Sequence, residues 1–461
     1  MAGKVIDKLR DFPSVEQLVQ SPKLATAVSL IPRPVATEVI REVVAEQKQR
    51  FRDGRGPKTL TELEKAILSA LRDKSVEKIS RVVNATGIVV HTNLGRAPLS
   101  ASLFELIKKT VTGYGNIEFS LGSGKRGGRG SAAEQYLAML SGAEAATVVN
   151  NNAAALFLIL NTLANRKKVV ISRGELVQIG GGFRIPDILR RSGARLAEIG
   201  TTNITSVKDY EAALDERTGL ILKVHKSNFI QAGFTDEVDL KPLVELGRQH
   251  GIPVVNDLGS GVFVDTRPIL GYHEPTVQES VRSGADITCF SGDKMLGGMQ
   301  AGLIVGRRDL ISRIKKNPIF RTVRVDKVVF SILEKLLAAY LDGTESEHVK
   351  LWRILARPIA ELQQLAKDIL KKAGNPDGVT IEPTAAFVGG GAMPEHPLKS
   401  VALVFGPSYR PERMLKLLRE QQPPIIGRVE QDKFILDMKA IDESDAPIVA
   451  RAIGKCLTGQ G

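Results

Sequence analysis

Apolar residues recur at helical spacing in the first part of the chain. The segment RPVATEVIREVVAEQKQRF places Val35, Val39, Val43 and Val44 on one side of a helix. The segment TLTELEKAILSALRDKS repeats this pattern and starts with a capping box. The stretch RDGRGPKT between them is typical of a loop. We therefore predict a helical domain with its linker over residues 1–82.

From residue 83 the pattern changes to short apolar runs that alternate with helical segments. VVIS, LILKV, PVVND, DITCFS and GLIVG are such runs, and DLKPLVELGRQHG is one of the helical segments. This alternation predicts an α/β fold with a mostly parallel sheet, covered by helices on both faces, over residues 83–340. Further on, SVALVFG, PIIGRVEQDKFILDM and a closing helical segment predict a smaller α/β domain with an antiparallel sheet over residues 341–461.

The composition is that of a folded protein. A length of 461 residues suggests about three domains, and 43% hydrophobic with 25% charged residues excludes a disordered chain. Cys289 and Cys456 match neither a disulfide framework nor a metal-ligand spacing. The first residues contain no apolar signal core, and the longest apolar run, AAALFLIL, is too short to span a bilayer. We expect a soluble cytoplasmic protein without a metal site.

The net charge of +13 makes an anionic partner plausible, either nucleic acid or a phosphorylated small molecule. An ordinary basic protein without such a partner remains the alternative. Within residues 1–82 the cations concentrate at the end of the first of the two predicted helices and in the loop that follows it. These candidate RNA-binding residues are Lys48, Arg50, Arg52, Arg55 and Lys58. A solvated helical face is the other interpretation of this cluster.

The glycine-rich stretch GSGKRGGRG, residues 122–130, does not match the nucleotide-binding P-loop. Lys125 is followed by Arg126, where that motif requires serine or threonine. We expect a mobile basic loop whose cations are Lys125, Arg126 and Arg129. A solvated surface loop without a ligand is equally compatible with the pattern.

Three consecutive asparagines follow an apolar strand in TVVNNNAAALFLILNTLA and precede a long apolar helix. The free N–H groups at the start of that helix, with the amides of Asn151 and Asn152, are suited to bind a phosphate group. A helix cap is the alternative, but capping requires only one asparagine.

Two charged residues follow neighbouring predicted strands. Asp257 stands at the end of the apolar run in IPVVNDLGSG, and Lys294 stands 37 residues later in SGDKMLGG, between two apolar runs. Ligands of open α/β sheets bind at this edge, although Asp257 alone could be a turn former. An amine, a phosphate site and a strand-end carboxylate together favour pyridoxal 5′-phosphate. The lysine would bind the cofactor covalently, and the carboxylate would keep the ring nitrogen protonated.

These motifs make the sequence similar to the bacterial selenocysteine synthase family nearly from end to end. The most specific segments are NATGIVVHTNLGRAPLS, VVNNNAAAL, SRGELVQIGGGFRIPD, EIGTTN, KVHKSNF, NDLGSG, EPTVQES, FSGDKMLGG, RVDK and PIIGRV. The resemblance implies an aminotransferase-like, fold type I pyridoxal domain and a small C-terminal domain. It also implies an N-terminal domain that binds tRNA, and a ring-shaped homo-oligomer.

The resemblance assigns roles to individual residues. It implies Lys294 as the cofactor lysine, Asp257 as the partner of the pyridine nitrogen, and Asn151, Asn152 and Ala153 as the phosphate loop. It also implies that selenophosphate is bound by three arginines, which are Arg96 in NLGRAP and Arg321 and Arg324 in FRTVRVDK. A surface ion-pair helix is the alternative for the last two.

The sequence departs from the family pattern at three positions. Met299 stands where proline is usual after the glycines that follow the lysine. Lys226 stands where threonine is usual, and Gly130 replaces a common aromatic residue. The additional glycine should loosen the basic loop.

The implied activity is the conversion of seryl-tRNA(Sec) to selenocysteinyl-tRNA(Sec). The seryl amine displaces Lys294, whose freed amine takes the Cα proton. Loss of hydroxide leaves a dehydroalanyl group, to which selenium from selenophosphate adds. One alternative is a pyridoxal lyase acting on a small amino acid or amino sugar acid. Another is a non-catalytic RNA-binding protein. The basic N-terminal region argues against the first, and the retention of Lys294 and Asp257 argues against the second.

Overall fold

The computed structural model describes residues 5–76, 79–179, 182–226, 229, 231–389 and 396–457. Gly180 and Gly181 of the segment GGGF, and Ser227 and Asn228 of HKSN, lie outside this part of the chain. The chain divides into two compact units, Met1–Val82 and Val83–Gly461, which are described separately.

The first unit is helical, as predicted. A 3-10 helix spans Leu9–Asp11, and the α-helices are α1 (Val15–Val19), α2 (Ala25–Ser29), α3 (Arg33–Arg52) and α4 (Leu60–Val76). The two long helices coincide with the two amphipathic segments of the sequence. Their apolar faces meet around Ile40, Leu63, Ile67 and Leu71, none of which is accessible to solvent. Burial of these side chains supplies the stability that amphipathic helices of this length lack in isolation.

The second unit contains the remaining elements. Its helices are α5 (Ala101–Thr112), α6 (Ser131–Ser141), α7 (Asn152–Ala164), α8 (Ile185–Arg191), α9 (Val207–Ala213), α10 (Leu240–His250), α11 (Arg267–Leu270), α12 (Val277–Arg282), α13 (Arg308–Lys316), α14 (Lys327–Leu341), α15 (Glu345–His348), α16 (Lys350–Ala356), α17 (Ile359–Lys372), α18 (Pro411–Arg419) and α19 (Ala446–Leu457). Its strands are β1 (Val83–Asn84), β2 (Phe119–Ser120), β3 (Lys125–Arg126), β4 (Ala145–Val149), β5 (Lys168–Ser172), β6 (Gln178–Ile179), β7 (Phe183–Arg184), β8 (Arg195–Ile199), β9 (Thr218–Val224), β10 (Val254–Gly259), β11 (Ile287–Ser291), β12 (Gly302–Gly306), β13 (Val379–Ala386), β14 (Leu398–Phe405), β15 (Ile425–Ile426), β16 (Arg428–Glu430) and β17 (Lys433–Asp437).

The central sheet has seven strands in the order β4-β12-β11-β10-β9-β5-β8. Of these strands, β12 alone runs antiparallel to its neighbours. The side chains of β11 and β12 are buried along their whole length. This explains why these strands appear in the sequence as continuous apolar runs and not as alternating patterns. The mostly parallel sheet predicted from the sequence is therefore confirmed.

A second sheet has four antiparallel strands in the order β13-β14-β17-β16. Helices α17, α18 and α19 pack against it. The antiparallel sheet predicted near the C-terminus is confirmed. The domain boundary between residues 340 and 341 stays a prediction. The residues on both sides of it belong to one compact unit, Val83–Gly461. No helix in the described residues has the length and apolar character needed to cross a bilayer.

The basic stretch at residues 122–130 differs from the expected mobile loop. Strands β2 and β3 pair as a short antiparallel hairpin, with Phe119 opposite Arg126 and Ser120 opposite Lys125. Glu118 accepts a hydrogen bond from Arg126 over 2.8 Å and another from Arg129 over 2.7 Å. Strands of two residues are too short to produce an alternating pattern, so the sequence did not indicate this hairpin.

Candidate active site

Asp257 and Lys294 lie at the carboxyl ends of adjacent parallel strands. Asp257 belongs to β10 and is 5% exposed, and Lys294 follows β11 and is 4% exposed. The chain from one to the other passes through α11 and α12, which is the crossover that the sequence predicted. The two predicted residues therefore share one edge of the sheet, where ligands of such folds bind.

The turn that carries Lys294 is held by backbone hydrogen bonds. The N–H of Met295 donates to the Ser260 carbonyl over 3.0 Å, and that of Gly292 donates to Ala301 over 2.8 Å. Gly297 has φ +73°, and a Cβ atom there would collide with Val349. This left-handed conformation in a closely packed turn explains the glycine that follows the lysine. The lysine is consequently fixed on a rigid support.

The Asp257 carboxylate is bound on two sides by buried groups. Asn152 donates a hydrogen bond from Nδ2 to Oδ1 of Asp257 over 2.8 Å. On the other side, Cys289 of β11 is the register neighbour of Asp257. Burial raises the pKa of the Asp257 carboxyl, and the hydrogen bond from Asn152 opposes that rise. Burial also raises the pKa of the Cys289 thiol well above its usual value, so it remains protonated beside the carboxylate.

The Lys294 amine is in an environment that favours its neutral form. Burial lowers the pKa of Lys294, and the positive charge of Arg96 lowers it further. The amine has no hydrogen bond or ion pair with the described part of the chain. A neutral amine is the form that attacks a carbonyl or accepts a proton.

The three asparagines have three different contacts. The N–H of Asn150 donates to the Val323 carbonyl over 2.9 Å. Asn151 caps helix α7, and its Oδ1 accepts from the Ala154 N–H over 2.8 Å. The side-chain amide of Asn152 donates a hydrogen bond to Asp257. The helix-cap interpretation therefore describes the Asn151 side chain. The first N–H groups of α7, those of Asn152 and Ala153, remain suited to an anion.

The residues present fit pyridoxal phosphate. Ser260 Oγ and Asn152 Oδ1 are buried and have no hydrogen-bond partner among the described residues. Buried polar atoms of this kind normally have partners, and a bound cofactor with polar ring substituents would provide them. Lys294 offers the amine, Asp257 the carboxylate for a ring nitrogen, and the start of α7 the N–H groups for a phosphate.

The three predicted anion-binding arginines lie in two places. Arg96 contacts Asp293, the residue before Lys294, and its Nη1 lies 2.9 and 3.0 Å from the two carboxylate oxygens of Asp293. Arg321 and Arg324 lie in and directly after a 3-10 helix, Pro318–Val323. Since Val323 accepts the bond from Asn150, this segment lies beside the start of α7.

The surroundings of Arg321 and Arg324 differ. Arg321 is exposed and has no ion-pair partner among the described residues. Arg324 Nη1 lies 3.9 Å from Glu118, and its Nε is buried without a hydrogen bond to the described residues. Glu118 thus lies between Arg324 and two arginines of the basic stretch, Arg126 and Arg129. The hydrogen bonds that Arg129 and Arg126 donate lower the pKa of the Glu118 carboxyl. The alternative interpretation of Arg324 as a surface ion-pair residue agrees with its contact with Glu118.

The three departures from the family pattern have structural counterparts. Met299 packs against the large hydrophobic cluster of the second unit. Lys226 Nζ lies 2.8 Å from Glu237. Gly130 has φ +63°, and the Phe330 ring occupies the space that a Cβ atom there would need. The Phe330 ring fills the space beside Gly130 that a larger residue would occupy.

The cations at the end of α3 are mostly accessible. The ion pairs of Arg50 with Glu46 and of Arg55 with Asp53 are long, at 3.9 and 3.8 Å. Lys48 lies 5.8 Å from the centre of the Phe12 ring. The side chains of Arg52 and Lys58 are exposed. Pairs this long and exposed compete weakly with an incoming phosphate group.

Sequence reasoning missed Asp293, Cys289 and Glu118 as part of the site. Asp293 precedes the cofactor lysine directly, so its position was a signal. Glu118 and Cys289 carry no motif, and only packing shows that they face Arg324 and Asp257.

Comparison with known proteins supports the resemblance. The family model described as L-seryl-tRNA selenium transferase matches residues 82–442, and the model described as selenocysteine synthase N terminal matches residues 9–46. A protein named L-seryl-tRNA(Sec) selenium transferase from Carboxydothermus hydrogenoformans is 40% identical over 98% of both chains. One of the same name from Geotalea daltonii is 43% identical over 96% of this chain and 98% of its own.

A solved structure confirms the fold class. D-Glucosaminate-6-phosphate ammonia-lyase superposes with a TM-score of 0.60 and 18% identity, covering 83% of this chain and 96% of its own. This superposition confirms the predicted aminotransferase-like fold. From its sequence, its family-model match and its near full-length relatives, the chain belongs to the L-seryl-tRNA selenium transferase family.

Proposed function

We propose that this chain is a pyridoxal 5′-phosphate-dependent transferase that converts L-seryl-tRNA(Sec) to L-selenocysteinyl-tRNA(Sec) with selenophosphate as selenium donor. The observation that carries the proposal is the 40% identity with a relative of that name over 98% of both chains. Lys294 and Asp257 at one sheet edge support the cofactor. The N-terminal match over residues 9–46 disfavours a lyase for free amino acids.

Each group at the sheet edge has a role in this reaction. When bound, the cofactor supplies a conjugated ring that accepts the electron pair released at the serine Cα. Asp257 would pair with the ring nitrogen, and the N–H groups of Asn152 and Ala153 would hold the phosphate. Lys294 is the attachment point, and its amine is the base for the Cα proton. Its pKa is lowered by burial and by the charge of Arg96, and this shift toward the neutral amine suits that role.

Selenium delivery is assigned to Arg96, Arg321 and Arg324. A phosphate dianion requires more than one cation, and guanidinium groups bind its oxygens in pairs. Asp293 holds Arg96 in place next to Lys294. Addition of selenium to the dehydroalanyl group would then take place where the phosphate is neutralised.

Recognition of tRNA is assigned to the cations between Lys48 and Lys58. RNA helices are recognised mainly through shape, phosphate and 2′-hydroxyl contacts, which a helical domain with a cationic loop can make. A ring-shaped homo-oligomer in the cytoplasm is part of the same proposal.

The test is an assay of the purified chain with seryl-tRNA(Sec), pyridoxal phosphate and selenophosphate. We expect selenocysteinyl-tRNA as product, and dehydroalanyl-tRNA when selenophosphate is omitted. The Lys294→Ala variant should form neither. Consumption of free amino acids or amino sugar acids, with seryl-tRNA left intact, would replace the proposal by the lyase alternative.

A further inference from the structure

Glu274 is a buried carboxylate that has no role in the reaction described above. It lies between α11 and α12 and is 1% exposed. Neither of its side-chain oxygens accepts a hydrogen bond from the described residues. Burying a carboxylate without hydrogen bonds is costly, so such groups are retained where they perform a task.

The neighbour of Glu274 is a histidine. His225 Nε2 lies 3.3 Å from Oε1 of Glu274, and the His225 side chain is 29% exposed. The negative charge of Glu274 also reaches Lys294, where it opposes the lowering of the pKa by burial and Arg96. The pKa of Tyr272 rises to about 12, through burial and then through Glu274. Glu274 therefore contacts the histidine and acts electrostatically on Lys294.

His225 stands at the same sheet edge as the other site residues. It directly follows β9, and its backbone N–H donates to the Asp257 carbonyl over 2.9 Å. Its ring lines a cavity of about 440 Å³, together with Lys223, Lys226 and Glu237. His225 thus lies beside a buried carboxylate and also lines a cavity next to this sheet edge.

The reaction of the proposed function, on which this inference rests, needs an acid as well as a base. Hydroxide is a poor leaving group, and a positioned acid that protonates it accelerates its departure. Lys294 accepts the Cα proton and cannot, in the same step, donate the proton that the leaving hydroxide needs. His91 is a weaker candidate, because burial lowers its pKa and keeps it neutral.

We propose that His225 is the proton donor to the departing β-hydroxyl group and that Glu274 is its positioning residue. The Cβ–O bond breaks with its electron pair on oxygen, which takes a proton from His225 and leaves as water. The pair from the Cα–H bond, whose proton has passed to Lys294, forms the Cα–Cβ double bond. The Glu274 carboxylate, with Oε1 3.3 Å from Nε2, orients the ring by its charge, and Nδ1–H is the donor to the hydroxyl group.

Charged groups around His225 must be included in any measurement against pH. Lys223 and Lys226 flank it in sequence, and both lie near Glu237, at 3.7 and 2.8 Å. Glu237 also acts electrostatically on His225. The Glu274→Gln variant keeps these neighbours and removes one charge, so a changed pH profile in that variant reports on the pair.

The test compares two leaving groups in single-turnover elimination without selenophosphate. With seryl-tRNA(Sec), we expect His225→Gln to slow formation of the dehydroalanyl group by about 100-fold or more. With tRNA carrying β-chloroalanine, the same variant should react at nearly the wild-type rate, because chloride leaves without a proton. Glu274→Gln should show the same selectivity with a smaller loss, and a changed pH profile for the seryl substrate only.

The chain offers a matched control in His273, whose Nε2 lies 3.1 Å from Glu279 with both side chains 40% exposed. His273→Gln should leave both rates unchanged. Equal losses of His225→Gln with both substrates would show a structural role and overturn the inference, as would an unchanged seryl rate. If the wild-type chain eliminated neither group, the proposed function itself would fail; elimination by wild type and variant alike would overturn only the role of His225.

Discussion

The side-chain amide of Asn152 holds the carboxylate of Asp257, with 2.8 Å between Nδ2 and Oδ1. The two residues are 105 positions apart in the chain, one at the start of α7 and the other on β10. One carboxylate oxygen of Asp257 is thereby held by Asn152. The proposed phosphate site and the proposed partner of the ring nitrogen are thus joined by one hydrogen bond.

Replacing Asn152 by alanine should make Asp257 easier to protonate. Burial already raises the Asp257 pKa, and the lost hydrogen bond had opposed that rise, so the pKa increases further. A hydrogen bond to a charged group is worth about 1.5–3 kcal/mol, or about one pH unit or more. Since the ionised carboxylate is the active form, the acid limb of kcat/KM should move to higher pH.

The matched control for this change is Asn150→Ala, which removes an exposed neighbouring amide. A pH-rate profile and a titration of cofactor absorbance should be unaltered in this variant. An acid limb that stays in place in Asn152→Ala would show that another group sets the ionisation of Asp257.

Lys294 should be the residue that carries the cofactor. Borohydride reduction of the protein with pyridoxal phosphate should fix the cofactor on the peptide that contains Lys294. Lys439 is an internal control, because it is buried to the same 4%. Its pKa is lowered to about 8 by burial. Mass spectrometry that found the adduct on Lys439 would mean that burial alone, and not position at the sheet edge, selects the lysine.

Truncation of Arg321 to alanine should weaken selenophosphate binding. We expect at least about a tenfold rise in KM for selenophosphate, because a charge-assisted contact to phosphate is lost. Formation of dehydroalanyl-tRNA should be unchanged. Arg313→Ala, an exposed arginine on α13, is the matched control and should change neither step. If elimination failed first in Arg321→Ala, the arginine would serve the tRNA or the fold.

Neutralising Arg50 and Arg52 by glutamine should weaken binding of seryl-tRNA(Sec) and lower its salt dependence. Each lost phosphate contact should reduce the slope of log affinity against log salt by about one. Lys371 and Lys372 at the exposed end of α17 provide a control pair of equal charge. Filter binding at several salt concentrations distinguishes the pairs. Equal effects from both would indicate attraction by net charge and not a defined site.

The sequence by itself determined the elements and the order of the chemical groups. Helices α3 and α4 and the buried strands follow from local hydrophobic pattern, because that pattern depends on residues close in the chain. Asp257 and Lys294 were identifiable for the same reason, since each stands directly after an apolar run. The short hairpin of β2 and β3 could not be identified from the sequence, because its strands have two residues each.

Only the tertiary structure decided which side chains meet. Asn152 reaches Asp257, and Glu274 reaches His225, although the two members of each pair are distant in sequence. Such pairs depend on strand order and on helix packing over the sheet, which no local pattern contains. The sequence therefore pointed to Lys294 and Asp257 as candidates for a cofactor site, while packing determined the groups that surround them.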